Sequence, residues 1–454
     1  MDPRYASPSA KTALGLTLLL AWTCNLGCEP ISKSISFLTK PKETKETIKL
    51  GILHSQTGSM GMNEMSLRHS ETIAIEEINE SGEFPRIDFV SVVKDGRSKS
   101  DHFRRRVREL IDIEKVDVIF GCWTSLHRKA VIDEMDNPTE LFRPQGFEEK
   151  TGANRHEPLL FYPLQYEGFE ANRNVFYFGS TPNQQILPAL DWFLSDQEGG
   201  KRQKIYLIGS DYLFPRMANY IVKKYLELRS IQVVDEIYLP LGHKDFGDAV
   251  LKIQQASPDL ILSTINGDSN RPFYEQLYKM GIRAETVPVL ATSVAEDELR
   301  RIPPEFVHGH YAAWSYFQSL DTQESKAFVR RFKRTFGLDR VVDDPMEAAY
   351  TQVMVWKEAY KRAKSSDPLK IREVLEKGLE FDAPGGKVKV DPKTHHLYKK
   401  FRLGQIQLDR QFKIIYESKD LIAPDPFPAF AFPGWECDWT RGGLTKGPVP
   451  NIGL

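Results

Sequence analysis

Cysteine is scarce in this chain: four in 454 residues, at Cys24, Cys28, Cys122 and Cys437. So few thiols cannot make a disulfide framework, and the fold must rest on buried apolar side chains, to which 41% hydrophobic residues are well suited. Cys122 is better explained as a small buried apolar residue than as half of a bridge to Cys437. An excess of either charge is missing too. With 61 Lys and Arg against 62 Asp and Glu, the sequence gives no electrostatic case for a nucleic-acid partner. Past the N-terminal segment no apolar run is long enough to cross a bilayer. Cofactor signatures are also missing, so no cofactor or metal is expected. His395-His396 lacks a partner at metal-ligand spacing and reads as a polar hairpin pair, and Gly58 with Gly61 lacks the third glycine of a dinucleotide loop. The Gly267-Asp268-Ser269 block invites a hydrolase reading, but Asn270 stands in place of Leu. Asp391 and His395 have the wrong spacing for that family's acid and histidine pair. An enzyme is not expected.

The first residues carry Lys11, an apolar stretch from Ala13 to Trp22, and then Cys24 and Gly27-Cys28. A short charged region followed by a short apolar one is the layout of a secretory signal. Gly27-Cys28 resembles a bacterial lipoprotein processing site, although Asn25 departs from that pattern's Leu. Residues 1–28 are therefore expected to be a signal peptide with Cys28 as the lipidation site. Residues 29–47, rich in Lys, Ser, Thr and Glu, are expected to form a flexible tether. The expected location is periplasmic or extracytoplasmic, with the membrane touched only through the lipid anchor.

Short apolar runs then alternate with amphipathic stretches. Ile48 to Leu53 leads into His54-Ser55-Gln56-Thr57-Gly58, and Asp117 to Phe120 leads into Gly121-Cys122-Trp123-Thr124-Ser125. Farther on, Ile205 to Gly209 leads into Ser210-Asp211-Tyr212, and Leu260 to Thr264 leads into Asn266-Gly267-Asp268. This alternation predicts βαβ units and a mostly parallel sheet. Ligands collect at the carboxyl ends of such strands, where the next helix directs free N–H groups outward. After Ser100, Phe103, Val107, Leu110 and Ile111 share one helical face, with Arg104, Arg105, Arg106 and Arg108 mostly off it, on a solvated face. Asn137 to Pro158 reads as a surface insert. Helical segments are predicted from about Thr322, Pro345 and Asp367, and strand-like alternation from Gly386 to Tyr416 with a turn at Asp409-Arg410. From Pro424 an irregular tail is packed by Phe427, Phe430, Phe432, Trp435 and Trp439.

Beyond these periodicities, an ordered series of blocks resembles the urea-type substrate-binding protein of bacterial ABC transporters. The blocks include Gly51-Ile52-Leu53-His54-Ser55, Gly121-Cys122-Trp123-Thr124-Ser125, Phe161-Tyr162-Pro163-Leu164-Gln165-Tyr166-Glu167-Gly168, Asn266-Gly267-Asp268-Ser269-Asn270, Ser293-Val294-Ala295-Glu296 and Asp344-Pro345-Met346-Glu347. The amide-sensing amidase regulator is a close relative, and the insert departs from both patterns. The resemblance implies an α/β, type I periplasmic binding protein fold: two doubly wound lobes joined by three crossover strands. Lobe 1 would be 48–178 plus 315–380, lobe 2 would be 179–314 plus 381–417, and 418–454 would be the C-terminal tail. It implies capture of urea or a short-chain amide between closing lobes and delivery to permease subunits. The alternatives are a short-amide or branched-chain amino acid binding or sensing protein and, further off, the hydrolase.

Urea offers one carbonyl acceptor and four N–H donors, so a site for it must present both kinds of partner. Donors expected from these loops are the backbone after Gly121, Thr124, Ser125 and Tyr212. Acceptors are Asp268, Glu296 and the Gln165 carbonyl, and the flat walls are Trp123, Tyr162 and Tyr166. His54, Ser55, Asn266 and Ser293 complete the expected ligand-binding set. Competing structural accounts exist for several of these: Tyr162 and Tyr166 as core aromatics, Glu296 as a helix-dipole partner, and Asp268 as a satisfied turn residue.

Overall fold

The computed structural model describes residues 45–142, 157–196 and 199–453. The expected signal segment, Cys28, most of the tether and residues 143–156 of the insert lie outside the described residues. The chain runs β1 (Glu46–His54), α1 (Gly61–Glu80), β2 (Ile87–Asp95), α2 (Ser100–Arg108), β3 (Val118–Gly121), α3 (Ser125–Asp136), β4 (Leu159–Tyr162) and β5 (Val175–Tyr177). It continues through α4 (Pro182–Leu194), β6 (Lys204–Ser210), α5 (Leu213–Glu227), β7 (Gln232–Leu239), α6 (Gly247–Ala256), β8 (Leu260–Thr264), α7 (Asn270–Lys279), β9 (Val289–Ala291), α8 (Glu296–Leu299), α9 (Pro304–Val307) and β10 (Tyr311–Trp314). The last part holds α10 (Gln323–Phe336), α11 (Asp344–Ala363), α12 (Pro368–Leu375), β11 (Glu380–Ala383), β12 (Gly386–Val390), β13 (Leu397–Tyr398), β14 (Arg402–Ile406), β15 (Phe412–Glu417), β16 (Glu436–Asp438) and β17 (Gly443–Thr445).

Two sheets organise these elements. The first has the order β2-β1-β3-β4-β5, with every neighbouring pair parallel. The second has the order β15-β14-β10-β9-β8-β6-β7, parallel from β7 to β10 and antiparallel at β14 and β15. Strands β3, β4 and β8 are buried at every position. Helices cover both faces of such strands, which is why they read as unbroken apolar runs instead of alternating ones. Helix α11 lays Trp356 against Phe89 and Phe120 of the first sheet, and burial of a large side chain of this kind contributes about 1.5–3 kcal/mol.

Arg108 departs from the solvated face expected for the arginines of α2. It is buried, and its guanidinium lies 2.7 Å from Asp112. A π-helical turn at Glu109–Glu114 follows directly, and its wider winding rotates the pattern away from the α-helical period. His395 and His396 are likewise buried instead of being polar hairpin residues, and they stack on Phe176 and Tyr177.

The chain passes between the sheets just after β5 and just after β10, and these two passages touch: the Ser180 and Ser315 hydroxyls are 3.0 Å apart. Asp344, at the start of α11, accepts from the backbone N–H groups of Ser315 and Tyr316 at 2.9 Å each. The tail packs on this core through Phe427, Phe432 and Trp435, while Phe430 and Trp439 are partly buried.

Candidate functional site

In parallel sheets every strand ends on the same edge. His54, Gly121 and Tyr162 therefore come together at the carboxyl edge of the first sheet, and Ser210, Thr264 and Ala291 at that of the second. Gly121 is required by a close approach, because a Cβ there would lie 2.3 Å from the Leu53 carbonyl oxygen. Cys122 follows at φ +71° and turns the chain into α3. Thr124 caps that helix, its hydroxyl accepting from the His127 N–H at 3.2 Å. Ser125 is buried beside it, and its hydroxyl has no hydrogen-bond partner among the described residues.

The rest of the first edge is built from charged and aromatic groups. His54 is fully buried between two carboxylates, with Nε2 at 2.8 Å from Glu71 and Nδ1 at 3.5 Å from Glu64. Burial opposes its charge, but Glu71 and Glu64 outweigh burial and raise its pKa to about 9. The Ser55 N–H donates to Glu64 at 2.6 Å, and the Ser55 hydroxyl accepts from the Ser98 N–H at 2.9 Å. Tyr162 donates to the Trp123 carbonyl at 2.6 Å, and Tyr166 donates to the Glu170 carbonyl. Both rings lie under the buried Arg128 guanidinium, at 4.6 and 5.4 Å from their centroids. Arg128 pairs with Glu167 at 2.8 Å and Glu170 at 2.6 Å. Burial would raise Glu170, yet Arg128 and Lys129 together hold it below the usual carboxylate range. Tyr162 and Tyr166 thus have the packed, hydrogen-bonded surroundings of core aromatics. Trp123 is half-buried.

On the second edge, Asn266 is buried and tied locally, its N–H to the Ser210 hydroxyl at 3.0 Å and its amide to the Thr264 carbonyl at 3.1 Å. Ser293 is buried, and its hydroxyl has no partner among the described residues. Glu296 is fully buried. One of its oxygens accepts from the Gln318 N–H at 2.6 Å and the other has no partner among the described residues. Burial, with Asp344 and Glu298 adding to it, raises Glu296 to about 8, so it stands as a neutral acid at pH 7. Tyr212 precedes α5 half-buried, its phenol pushed up by burial and by Glu167.

The two edges are joined. Gln165 donates from its side-chain amide to the Thr292 carbonyl at 2.7 Å, and Gln185 donates to the same oxygen at 3.0 Å. Asn63 donates to Glu298 at 2.6 Å, and Ser66 to Asp297 at 3.4 Å. Asp268 stands apart: its side chain is 61% exposed and meets only the partly exposed Arg301, at 3.7 Å, beside a groove of about 230 Å³ lined by Lys244, Asn270, Arg271 and Glu298. Of the expected ligand acceptors, Asp268 is thus the solvated one in this structure. The short 3-10 turn Gly267–Ser269 directs this side chain to the rim.

Sequence reasoning passed over Asn63, Glu64, Glu71, Arg128 and Glu298. A signal existed for two of them: Glu64 and Glu71 lie seven residues apart on the same α1 face as the buried Leu67, Ile75 and Ile78, where an apolar stripe would be expected. Cys122 and Cys437 are both buried, and neither is in a disulfide among the described residues.

Residues 48–432 match the family described as periplasmic binding protein domain. Among curated proteins, a Leu/Ile/Val-binding protein homolog 6 of Brucella melitensis is 22% identical over 179 residues, 38% of this chain and 45% of that protein. Limonene hydroxylase of Geobacillus stearothermophilus is 35% identical over 122 residues, 27% of this chain and 22% of that protein. The chain thus spans under half the length of these curated relatives. Among solved structures, a solute-binding protein of an ABC transporter from Rhodopseudomonas palustris HaA2, in complex with p-hydroxybenzoic acid, superposes with a TM-score of 0.71. It is 22% identical, over 84% of this chain and 98% of that one. A branched-chain amino acid transporter substrate-binding protein of Streptococcus pneumoniae, in complex with isoleucine, gives 0.68 at 18% identity, over 84% and 100%. At these identities the likeness is one of fold, the type I periplasmic binding fold.

Proposed function

The chain belongs to the periplasmic binding protein domain family, and from that premise we propose that it is the extracytoplasmic solute-binding protein of an ABC transporter, taking urea or a short-chain amide between two lobes for delivery to permease subunits. The lobes are 48–178 with 315–380, and 179–314 with 381–417. The family is one of binding proteins, not of enzymes, and the limonene hydroxylase likeness covers too little of that protein to carry its activity over.

One observation supports the reading above the others. Where Gln165 ties the first edge to Thr292 of the second, the flanking hydroxyls of Ser125 and Ser293 and one oxygen of Glu296 are buried without partners among the described residues. Leaving such a group unsatisfied costs about 1–3 kcal/mol, a penalty that a small polar ligand carrying both donors and a carbonyl removes. A neutral ligand also suits this edge, since the Arg128 charge is already matched by Glu167 and Glu170. The Brucella relative's name favours a second reading, a branched-chain amino acid. Its ammonium group would take the place of the amide N–H donors, and its carboxylate would lie at the start of α3.

Calorimetry and thermal melting against urea, acetamide, formamide, leucine and 4-hydroxybenzoate separate these readings. A ligand that binds only the folded state raises stability by RT ln(1 + [L]/Kd), about 2.7 kcal/mol at a hundredfold excess over Kd. Urea or an amide is expected to raise the melting temperature and to change Trp123 fluorescence. A response to leucine alone would transfer the assignment to the second reading, and no response to any of the five would remove both.

A further inference from the structure

Glu64 lies one turn into α1, and its two carboxylate oxygens have different surroundings. Oε2 accepts from the Ser55 N–H at 2.6 Å and sits 3.5 Å from His54 Nδ1. Oε1 is enclosed in a side chain with no exposure and has no hydrogen-bond partner among the described residues. Asn63 precedes Glu64 and Ser66 follows two positions on, and these two cross to Glu298 and Asp297 of the second edge. Glu64 itself faces His54 and lies near the Cys122 turn that leads into α3, whose Ser125 hydroxyl is also unpartnered among the described residues. Glu71 and Glu167 each carry an oxygen without a partner among the described residues as well. Glu71, however, lies two turns farther along α1 beside Gln352 of α11, and Glu167 is held by Arg128 near the tyrosine rings.

We propose that Glu64 Oε1 is the acceptor for an N–H of the bound ligand, so that the site selects amides and ureas over carboxylates of the same shape. This rests on the solute-binding reading and deepens it, since it names the feature of the ligand that is recognised. A carboxylate with one oxygen tied to a backbone N–H presents only lone pairs at the other. An N–H donor completes it, and an acetate ion set against it would be repelled.

Glu64→Gln turns this argument into an inversion. The Ser55 N–H needs an acceptor, so the glutamine carbonyl takes the Oε2 position and its NH₂ group takes the Oε1 position, replacing an acceptor with a donor. The probes are acetamide and acetate, which differ at one atom, titrated by calorimetry into wild type and variant, with the ligand-free melting temperature recorded for each. Wild type is expected to bind acetamide and urea and to disfavour acetate. Glu64→Gln is expected to lose about ten- to a hundredfold in acetamide affinity, the range for a lost hydrogen bond to a charged group, and to shift its preference toward acetate. Glu64→Asp keeps the charge beside His54 but shortens the reach. It should weaken acetamide without gaining acetate, and it decides the matter if the glutamine variant does not fold. Wild type that binds acetamide with both variants unchanged overturns the role of Glu64 and leaves the solute-binding reading intact. Wild type that ignores amides, urea and leucine removes the reading and the inference together.

Discussion

The two sheet edges handle buried carboxylates in opposite ways. On the first, Glu64 and Glu71 flank His54, whose pKa they raise to about 9, so the cluster carries its own cation, which works against the upward push of burial on Glu71. On the second, Glu296 and Glu298 lie near Asp297, Asp343 and Asp344. The nearest cations are the partly exposed Arg300 and Arg301, whose guanidinium groups reach Asp297 at 3.3 and 3.4 Å. Burial and mutual repulsion raise Glu296 to about 8 and Glu298 to about 7. The first edge encloses its cation between the carboxylates, and the second keeps its cations at the partly exposed rim. Since Glu298 also receives the Asn63 amide from the first edge, one of the contacts between the edges is made by a carboxyl that titrates at about 7.

The sharpest way to break this contrast is to remove the cation. His54→Ala leaves two buried carboxylates uncompensated, and breaking a buried ion pair from one side costs about 3–5 kcal/mol. Guanidinium denaturation is the measurement of choice, since urea is a candidate ligand. A loss below about 1 kcal/mol, the range of an exposed pair, would mean that the cluster does not depend on its histidine.

The second edge predicts a pH effect with a definite sign. A carboxyl whose folded pKa lies above its unfolded value stabilises fully below the unfolded value, and that contribution is lost as pH rises through the folded one. Glu296 therefore withdraws stability between pH 4.5 and about 8 and Glu298 between pH 4.5 and about 7, each on the order of 1 kcal/mol per pH unit. His54, raised from 6.5, withdraws it between there and about 9. His69, lowered to about 4 by burial and Arg340, and His310 and His396, both lowered to about 3 by burial, act in the other direction and cost stability as pH falls below 6.5. Melting temperature should thus fall on the alkaline side of neutrality, and Glu296→Gln should flatten that limb up to about pH 8. An alkaline limb identical in wild type and variant would assign it to His54 alone.

Much of this arrangement was legible in the sequence, and the exceptions share a cause. Unbroken apolar runs located the parallel strands, and the turns after Leu53, Phe120, Gly209 and Thr264 came out at the carboxyl edges. Helices α10, α11 and α12 begin next to Thr322, Pro345 and Asp367, whose side chains or ring are suited to first-turn positions. The partners of the site were not legible. Glu64, Glu71 and Arg128 are charged residues inside helices, where sequence alone suggests solvent, and only the packing of α1 and α3 against strand ends turns them inward. The same limit applies to Arg108, a charged residue at the end of α2 that is buried beside Asp112.

Asp268 gives the smallest expected effect and the closest test of that limit. Its loop satisfies each sequence criterion for a ligand contact, because it follows a strand end and contains a glycine at φ +63°. A buried acceptor lost there would weaken binding by ten- to a hundredfold, on the order of 1.5–3 kcal/mol. The structure instead exposes 61% of the side chain and leaves it a partner at 3.7 Å. Water already solvates such a carboxylate, and an exposed pair of this kind contributes about 0–1 kcal/mol. Asp268→Ala is therefore expected to change ligand affinity less than about threefold and the ligand-free melting temperature hardly at all, in contrast to Glu64→Gln. If the Asp268 variant loses tenfold or more by calorimetry, the rim carboxylate swings inward on binding, and the second edge supplies an acceptor that the closed contact between Gln165 and Thr292 does not reveal.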